Sequence, residues 1–271
     1  MHSLPGPRLV ILNTVRSAAV IAQEYRKKYG SNSVEHISTA LSPRDREETL
    51  IRIKMRLEED DELDWALVAT SCVEAGVDLS FRTGVREAAS LVSLLQIAGR
   101  VNRHGQMQSA IVWTIVLKDG GLLKTIPSLQ DSANVLMDLL NSKQVISPAL
   151  CTDALKREVR LGGTFSQALL KYDERLRFPQ VEKDFRVIAS DTRTVVVDMA
   201  IVNEIERGRS VDWRKIQKSS VQIYGYRLNE LRLPEILGRP GLCKWTYDYD
   251  GFIGYMAGVI KLANFDDYCC V

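Results

Sequence analysis

Short apolar runs alternate with helix-period segments through the first half of the chain. Arg8 to Asn13 (RLVILN) is the first run, of the kind that fills a buried parallel strand. Behind it Val15, Ala18, Ala19, Ala22 and Tyr25 recur at helical spacing and define one face. Val34 to Ser38 is a second strand candidate. Ser42-Pro43-Arg44-Asp45 opens the next helix: Ser42 can cap it, Pro43 suits the first helical position, and Asp45 stands where a capping partner belongs. Leu50, Ile53 and Leu57 are its expected buried stripe, and the acidic run from Glu58 to Asp64 reads as a solvated helix end and loop. Trp65 to Ala69 (WALVA), residues 84–87 and Ala110 to Leu117 (AIVWTIVL) supply further strands, with a helix over Ser90 to Ala98. This alternation predicts an α/β fold with a mainly parallel sheet flanked by helices.

The pattern changes at Lys118-Asp119-Gly120-Gly121. Beyond it, helices are expected near 128–142, 150–160 and 164–176, and β runs over Phe185 to Ala189 and Arg193 to Asp198. A helix is expected from Met199, and short strands and turns follow. The expected organisation is an α/β domain over 1–118 and a smaller α+β accessory domain over 119–271. The charge balance separates neither part: residues 1–118 hold 15 Lys+Arg against 14 Asp+Glu, and the whole chain has a formal net charge of +2. Any nucleic-acid contact must therefore come from a local patch or from backbone amides. The five cysteines include no C-x-x-C pair and are odd in number, which argues against a disulfide framework or zinc site. With no signal peptide or membrane-length apolar run, a cytoplasmic protein with no membrane partner is expected.

Two segments carry the candidate chemistry. Drawn as one helix, residues 91–103 place Leu91, Leu94, Leu95 and Ala98 on one face and Gln96, Arg100 and Arg103 on the other, with Gly99 offering close approach. Two aligned guanidiniums suit a polyphosphate, because each stays charged and donates in a fork; the bland alternative is a surface helix with ordinary salt bridges. Upstream, Thr70 and Ser71 leave the WALVA strand, followed by Glu74-Ala75-Gly76-Val77-Asp78. Ligands of open α/β sheets bind beyond the carboxyl ends of strands. Thr70 and Ser71 can donate to phosphate there, Gly76 permits close approach, and Asp78 can accept from a ribose hydroxyl. Alone, this segment is equally a strand–turn–strand connection. The tyrosines and tryptophan of the tail (Tyr224, Tyr226, Trp245, Tyr247, Tyr249), with Arg227 and Lys244, either stack single-stranded bases or pack a small β unit; packing is the expected role.

Together, Thr70…Gly76-x-Asp78 and Gln96-x-x-Gly99-Arg100-x-x-Arg103 resemble motifs V and VI of superfamily 2 helicases, and Arg8 to Ser17 resembles motif IV. The likeness covers residues 8–117 and implies a second RecA-like motor lobe. The phrases His36-Ile37-Ser38-Thr39-x-Leu41-Ser42-Pro43-x-Asp45-Arg46 and Ser71 to Phe81, with Arg86-Glu87 and Arg100-Val101-Asn102-Arg103-His104-Gly105, are similar to the signature helicase–nuclease of type I CRISPR–Cas systems. That resemblance implies an ATP-dependent DNA helicase or translocase of antiviral defence. Arg100 and Arg103 would reach the γ-phosphate of ATP and Gln96 would sense it. Asp78, Gly76 and Gly99 would serve the nucleotide. Asn13, Thr14, Thr70 and Ser71 would touch the backbone of single-stranded DNA.

The sequence has no G-x-x-x-x-G-K-[ST] loop and no His-Asp pair, and its D-E-x-D string, Asp61 to Asp64, falls in the acidic run read above as a solvated helix end and loop. ATP and its Mg²⁺ would therefore depend on a first RecA-like lobe outside this chain, and no ATPase is expected of the chain alone. The CRISPR effector complex is a further implied partner. The competing readings are a non-enzymatic module that binds DNA or the effector complex, and a lobe of another superfamily 2 (RNA) helicase.

Overall fold

The structure is a computed structural model describing residues 2–59, 64–74, 78–118, 120–123, 126–142, 144–161, 170–184 and 191–268. Five strands form a wholly parallel sheet: β1 (Arg8–Ile11), β2 (Val34–Ile37), β3 (Ala66–Ala69), β4 (Thr83–Glu87) and β5 (Ile111–Ile115), in the order β2-β3-β1-β4-β5. β1 is central and its residues Leu9 to Ile11 are fully buried, as a strand covered on both faces requires. The outermost strand β5 leaves Ile111 and Trp113 about half exposed. The helices are α1 (Val15–Tyr29), α2 (Pro43–Glu58) and α3 (Leu91–Ala98). Ala18, Ala19, Ala22 and Tyr25 bury the expected face of α1. Ser42 Oγ caps α2 by accepting from Asp45 N at 3.2 Å and donates to Asp45 Oδ2 at 2.7 Å. Of the α2 stripe, Ile53 is fully buried, whereas Leu50 and Leu57 are half-buried.

Contacts divide the chain into two compact units, one of Met1–Glu87, Gln96–Thr125 and Thr192–Val271, the other of Ala88–Leu95 and Ile126–Asp191. The second unit contains α4 (Gln130–Asn141), α5 (Cys151–Leu161) and α6 (Phe178–Asp184). Val135, Leu136 and Leu139 form the buried side of α4, and Ser132 Oγ donates to Glu158 of α5 at 2.8 Å.

In the first unit a second, mixed sheet follows, built from β6 (Thr192–Val196), β7 (Ser220–Tyr224), β8 (Glu235–Ile236) and β9 (Arg239–Lys244) in the order β7-β6-β9-β8. Helices α7 (Met199–Glu206), α8 (Trp213–Lys218), α9 (Gly225–Glu230) and α10 (Met256–Tyr268) accompany it. This grouping differs from the expected division after Lys118. The tail packs on the parallel-sheet region: Ile253, Met256 and Ile260 share a core with Ala19 and Ala40. Tyr255 N donates to Ala40 O at 3.2 Å, and Ser42 N donates to Tyr249 Oη at 2.9 Å. A Cβ on Gly254, which has φ +63°, would lie 2.0 Å from Ala40 O, so only glycine permits this approach. The β run expected over 185–189 lies outside the described residues, as do residues 164–169 of the helix expected over 164–176, whose described part is helical over 170–174. Among the described residues no helix is long and apolar enough to cross a membrane, and no three His, Cys, Asp or Glu side chains gather as a metal site.

Candidate functional site

The arginine segment departs from the continuous helix drawn over 91–103. α3 ends at Ala98, and its buried residues are Leu91, Leu94 and Ile97, while Ala98 is exposed. Arg100 N then bonds to Ile97 O at 2.8 Å, and Val101 bridges to Phe81: Phe81 N donates to Arg100 O at 2.9 Å and Asn102 N to Phe81 O at 2.8 Å. Strand-like pairing thus overrides the helical period. Gly84 on β4 makes room for the segment, since a Cβ there would sit 2.9 Å from Val101 Cγ2 and 3.3 Å from Ile97 Cδ1. Asn102 takes φ +51°, a conformation asparagine tolerates, and its side chain closes the following loop through Met107 N and O at 2.9 and 2.7 Å.

Arg100 and Arg103 therefore do not form one outward stripe. Arg100 is buried, with Nη2 donating to Glu74 O at 3.0 Å. Arg103 is exposed; its Nε lies 2.6 Å from Asp78 Oδ1, and its backbone N donates to Ser80 Oγ at 3.1 Å. Gln96 and Gly99 are also exposed, and Gly99 O accepts from Arg103 Nη1 at 3.3 Å. Gly76 lies outside the described residues.

The other site candidates stand at the carboxyl ends of β1 and β3. Asn13 and Thr14 follow β1, both half-buried. Thr14 caps α1: its Oγ1 accepts from Ser17 N at 2.9 Å and donates to Ser17 Oγ at 2.8 Å. Thr70 is buried after β3, its hydroxyl 3.4 Å from Cys72 Sγ, whereas Ser71 is exposed. Burial pushes the Cys72 thiol up, so it is a poor nucleophile at neutral pH.

Between these groups runs a buried charged network that was not among the expected site residues. Arg86, at the end of β4, donates through Nη1 to Asn13 Oδ1 at 2.6 Å and to Glu87 O at 3.1 Å. Asn13 N donates to Glu87 Oε2 at 2.7 Å. Arg86 Nε lies 3.1 Å from Glu74 Oε1, yet the approach is not aligned for a hydrogen bond and leaves both buried atoms without one. Burial raises the carboxyl pKa of Glu74 and of Glu87, against the opposing pull of Arg86. Burial also lowers the Arg86 pKa, which the two carboxylates counteract. The available signal was an Arg-Glu pair inside a strand whose every position is buried (Thr83 to Glu87), where charge is costly unless paired. The network links Asn13 through Arg86 and Glu74 to Arg100.

Residues 6–106 match the family described as CRISPR-associated nuclease/helicase Cas3, C-terminal. The CRISPR-associated nuclease/helicase Cas3 of Haloferax volcanii is 39% identical over 62 residues, a match covering 21% of this chain and 7% of that protein. The fold is similar to the crystal structure of T. fusca Cas3-AMPPNP, with TM-score 0.63 and 15% identity over 92% of this chain and 38% of that one. T. fusca Cas3-ADP gives TM-score 0.62 and 17% identity over 93% and 38%. A chain of a CRISPR RNA-guided surveillance complex, pre-nicking, gives 0.58 and 14% over 91% and 40%. The chain thus spans about two-fifths of the chains it resembles in structure. The matched residues contain β1 to β4 of the parallel sheet but not β5, and within them the chain is similar to a Cas3-type helicase C-terminal lobe.

Proposed function

We propose that this chain supplies the second motor lobe of an ATP-driven DNA helicase or translocase in type I CRISPR defence. The supporting observation is the chain of contacts from Arg100 through Glu74 and Arg86 to Asn13. It joins the arginine segment to the strand-end positions suited to a nucleic-acid backbone, which is the linkage a translocase needs between nucleotide state and strand grip. Arg103 is the finger: its exposed guanidinium can reach a γ-phosphate presented by a first lobe, where positive charge offsets charge developing during hydrolysis. Asp78 holds that guanidinium until nucleotide arrives, and an exposed ion pair costs little to open. Arg100 positions the Glu74 backbone, and the exposed Gln96 and Gly99 would serve the nucleotide beside Arg103.

The first lobe would cradle the phosphates of ATP and its Mg²⁺. Ser71, Asn13 and Thr14 grip the phosphodiester backbone of single-stranded DNA, a contact that carries no sequence information and so permits movement along the strand. The CRISPR effector complex is the expected recruiting partner, and the cytoplasm the expected compartment.

The test is reconstitution. The pure chain is expected to show background ATP hydrolysis, and a matching first lobe to restore turnover stimulated by single-stranded DNA. Arg103→Ala then lowers that turnover by about 10³-fold with unchanged thermal unfolding. Arg100→Ala lowers both turnover and the melting temperature, because its guanidinium is part of the interior. Failure of a competent first lobe to restore hydrolysis would favour a non-enzymatic binding module, and RNA replacing DNA as activator would favour an RNA helicase.

A further inference from the structure

Tyr224 and Tyr226 are 49% and 58% exposed, so they do not pack the small β unit as expected. Their rings lie with centroids 5.8 Å apart and planes inclined by 22°, and Arg227 Cζ stands 5.7 Å from the Tyr226 centroid. Close by in the chain's tail, Tyr255 packs 5.5 Å from the buried Trp245. Arg16 belongs to the first turn of α1, two residues after the Thr14 cap. Its pKa is lowered first by burial and then by the charge of Arg227, so the two guanidiniums repel one another. Among the described residues no carboxylate pairs with Arg16, and Arg227 has Glu230 only at 3.8 Å.

We propose that Arg16, Tyr224, Tyr226 and Arg227 form a stacking platform for bases of a single-stranded nucleic acid whose backbone passes Asn13 and Thr14. Two cations held near each other repel until a polyanion lies between them, and two exposed rings offer faces to successive bases. Free phosphate would use the arginines and leave the rings idle; a strand uses both. The platform rests on the proposed strand grip at the end of β1 and extends it onto the tail, giving the residues after β6 a role in holding the strand. Stacking is indifferent to sequence, as translocation demands.

The experiment is fluorescence anisotropy of the full chain with labelled oligo-dT and with a strand of equal length made of abasic sites. The Tyr224→Ala/Tyr226→Ala variant is expected to bind oligo-dT about 10- to 100-fold more weakly, and Tyr224→Trp/Tyr226→Trp to restore binding. The abasic strand should bind the unaltered chain weakly and ignore the loss of the tyrosines. Arg16→Ala and Arg227→Ala should weaken both strands alike and reduce the salt dependence.

Equal loss for both strands in the tyrosine variant, or no loss, overturns the platform, as does failure of the unaltered chain to bind oligo-dT. Should the tyrosine variant bind normally while Ser71→Ala and Thr14→Ala weaken binding, the platform falls and the strand grip stands. The reverse outcome keeps the platform and removes the grip.

Discussion

Arg86 and Arg103 each face carboxylates, in opposite settings. The side chains of Arg86 and Glu74 are 4% and 9% exposed, and those of Arg103 and Asp78 are 41% and 70% exposed. Water screens the outer pair, so it can open for a ligand at small cost. The inner pair is locked, because separating its members strands charge in the interior. The contrast assigns different tasks to charges that look equivalent along the chain: the inner set fixes β1, β4 and the Thr70 to Glu74 turn relative to one another, and the outer set stays available.

The strongest way to break this comparison is Arg86→Ala. It leaves Glu74 and Glu87 buried without their cation, and the expected loss is about 3–5 kcal/mol of unfolding free energy by urea titration. A loss below about 1 kcal/mol would show that the inner network is solvated and that the two pairs are alike.

Acidification probes the interior a second way. His36 is fully buried, with Nδ1 3.1 Å from Val68 O and Nε2 3.0 Å from Ser38 Oγ, and burial lowers its pKa from 6.5 to about 4. Below pH 6.5 the unfolded chain takes up a proton that the folded chain refuses until about pH 4. His36 therefore removes stability as pH falls through that window, by about 2 kcal/mol between pH 7 and 5. Glu74 and Glu87 act in the opposite sense: with raised folded pKa values, they give stability at low pH that is lost as pH rises through those values. The difference between the unaltered chain and His36→Gln, measured by urea unfolding at pH 7, 6 and 5, isolates the histidine. A constant difference across that range would contradict a neutral, buried His36.

Much of this was legible in the chain. Each strand of the parallel sheet overlaps a segment that the pattern marks as a strand candidate, and the Ser42 cap is where Ser-Pro-x-Asp places it. In the arginine segment a 3.6-residue period continues on paper through Gly99, whereas the backbone beyond Ala98 pairs with Phe81, a contact no local pattern encodes. The inner network was hidden for a similar reason. Asn13, Glu74 and the Arg86-Glu87 pair come from three separate segments, and the pairing of β4 with β1 sets Arg86 and Glu87 against Asn13. Tyr224 and Tyr226 have the composition of a core, and exposure is a property of the fold.

Gly84→Ala tests how the arginine segment is seated. Its Cβ would press on the stiff, β-branched Val101 and Val112 and on the end of Ile97, so the expected cost is about 1–3 kcal/mol. In the reconstituted enzyme, turnover should fall further than stability does, since the shift displaces the residues leading to Arg103. Equal turnover at normal stability would mean that this wedge does not place the finger.

Asp78→Ala is the smallest expected perturbation of the fold and sharpens the comparison most. With both side chains substantially exposed, the pair with Arg103 should contribute no more than about 0.5 kcal/mol, so the urea midpoint should barely move. Turnover answers a separate question. If Asp78 only steadies an idle guanidinium, Arg103 is freed and nucleotide affinity rises slightly. If Asp78 also aims the finger or meets the ribose, turnover falls while the fold is untouched. The outer pair is read as a ligand-facing one, so the second outcome is expected. A destabilisation approaching that of Arg86→Ala would instead make Asp78–Arg103 a structural pair and remove Arg103 as the finger.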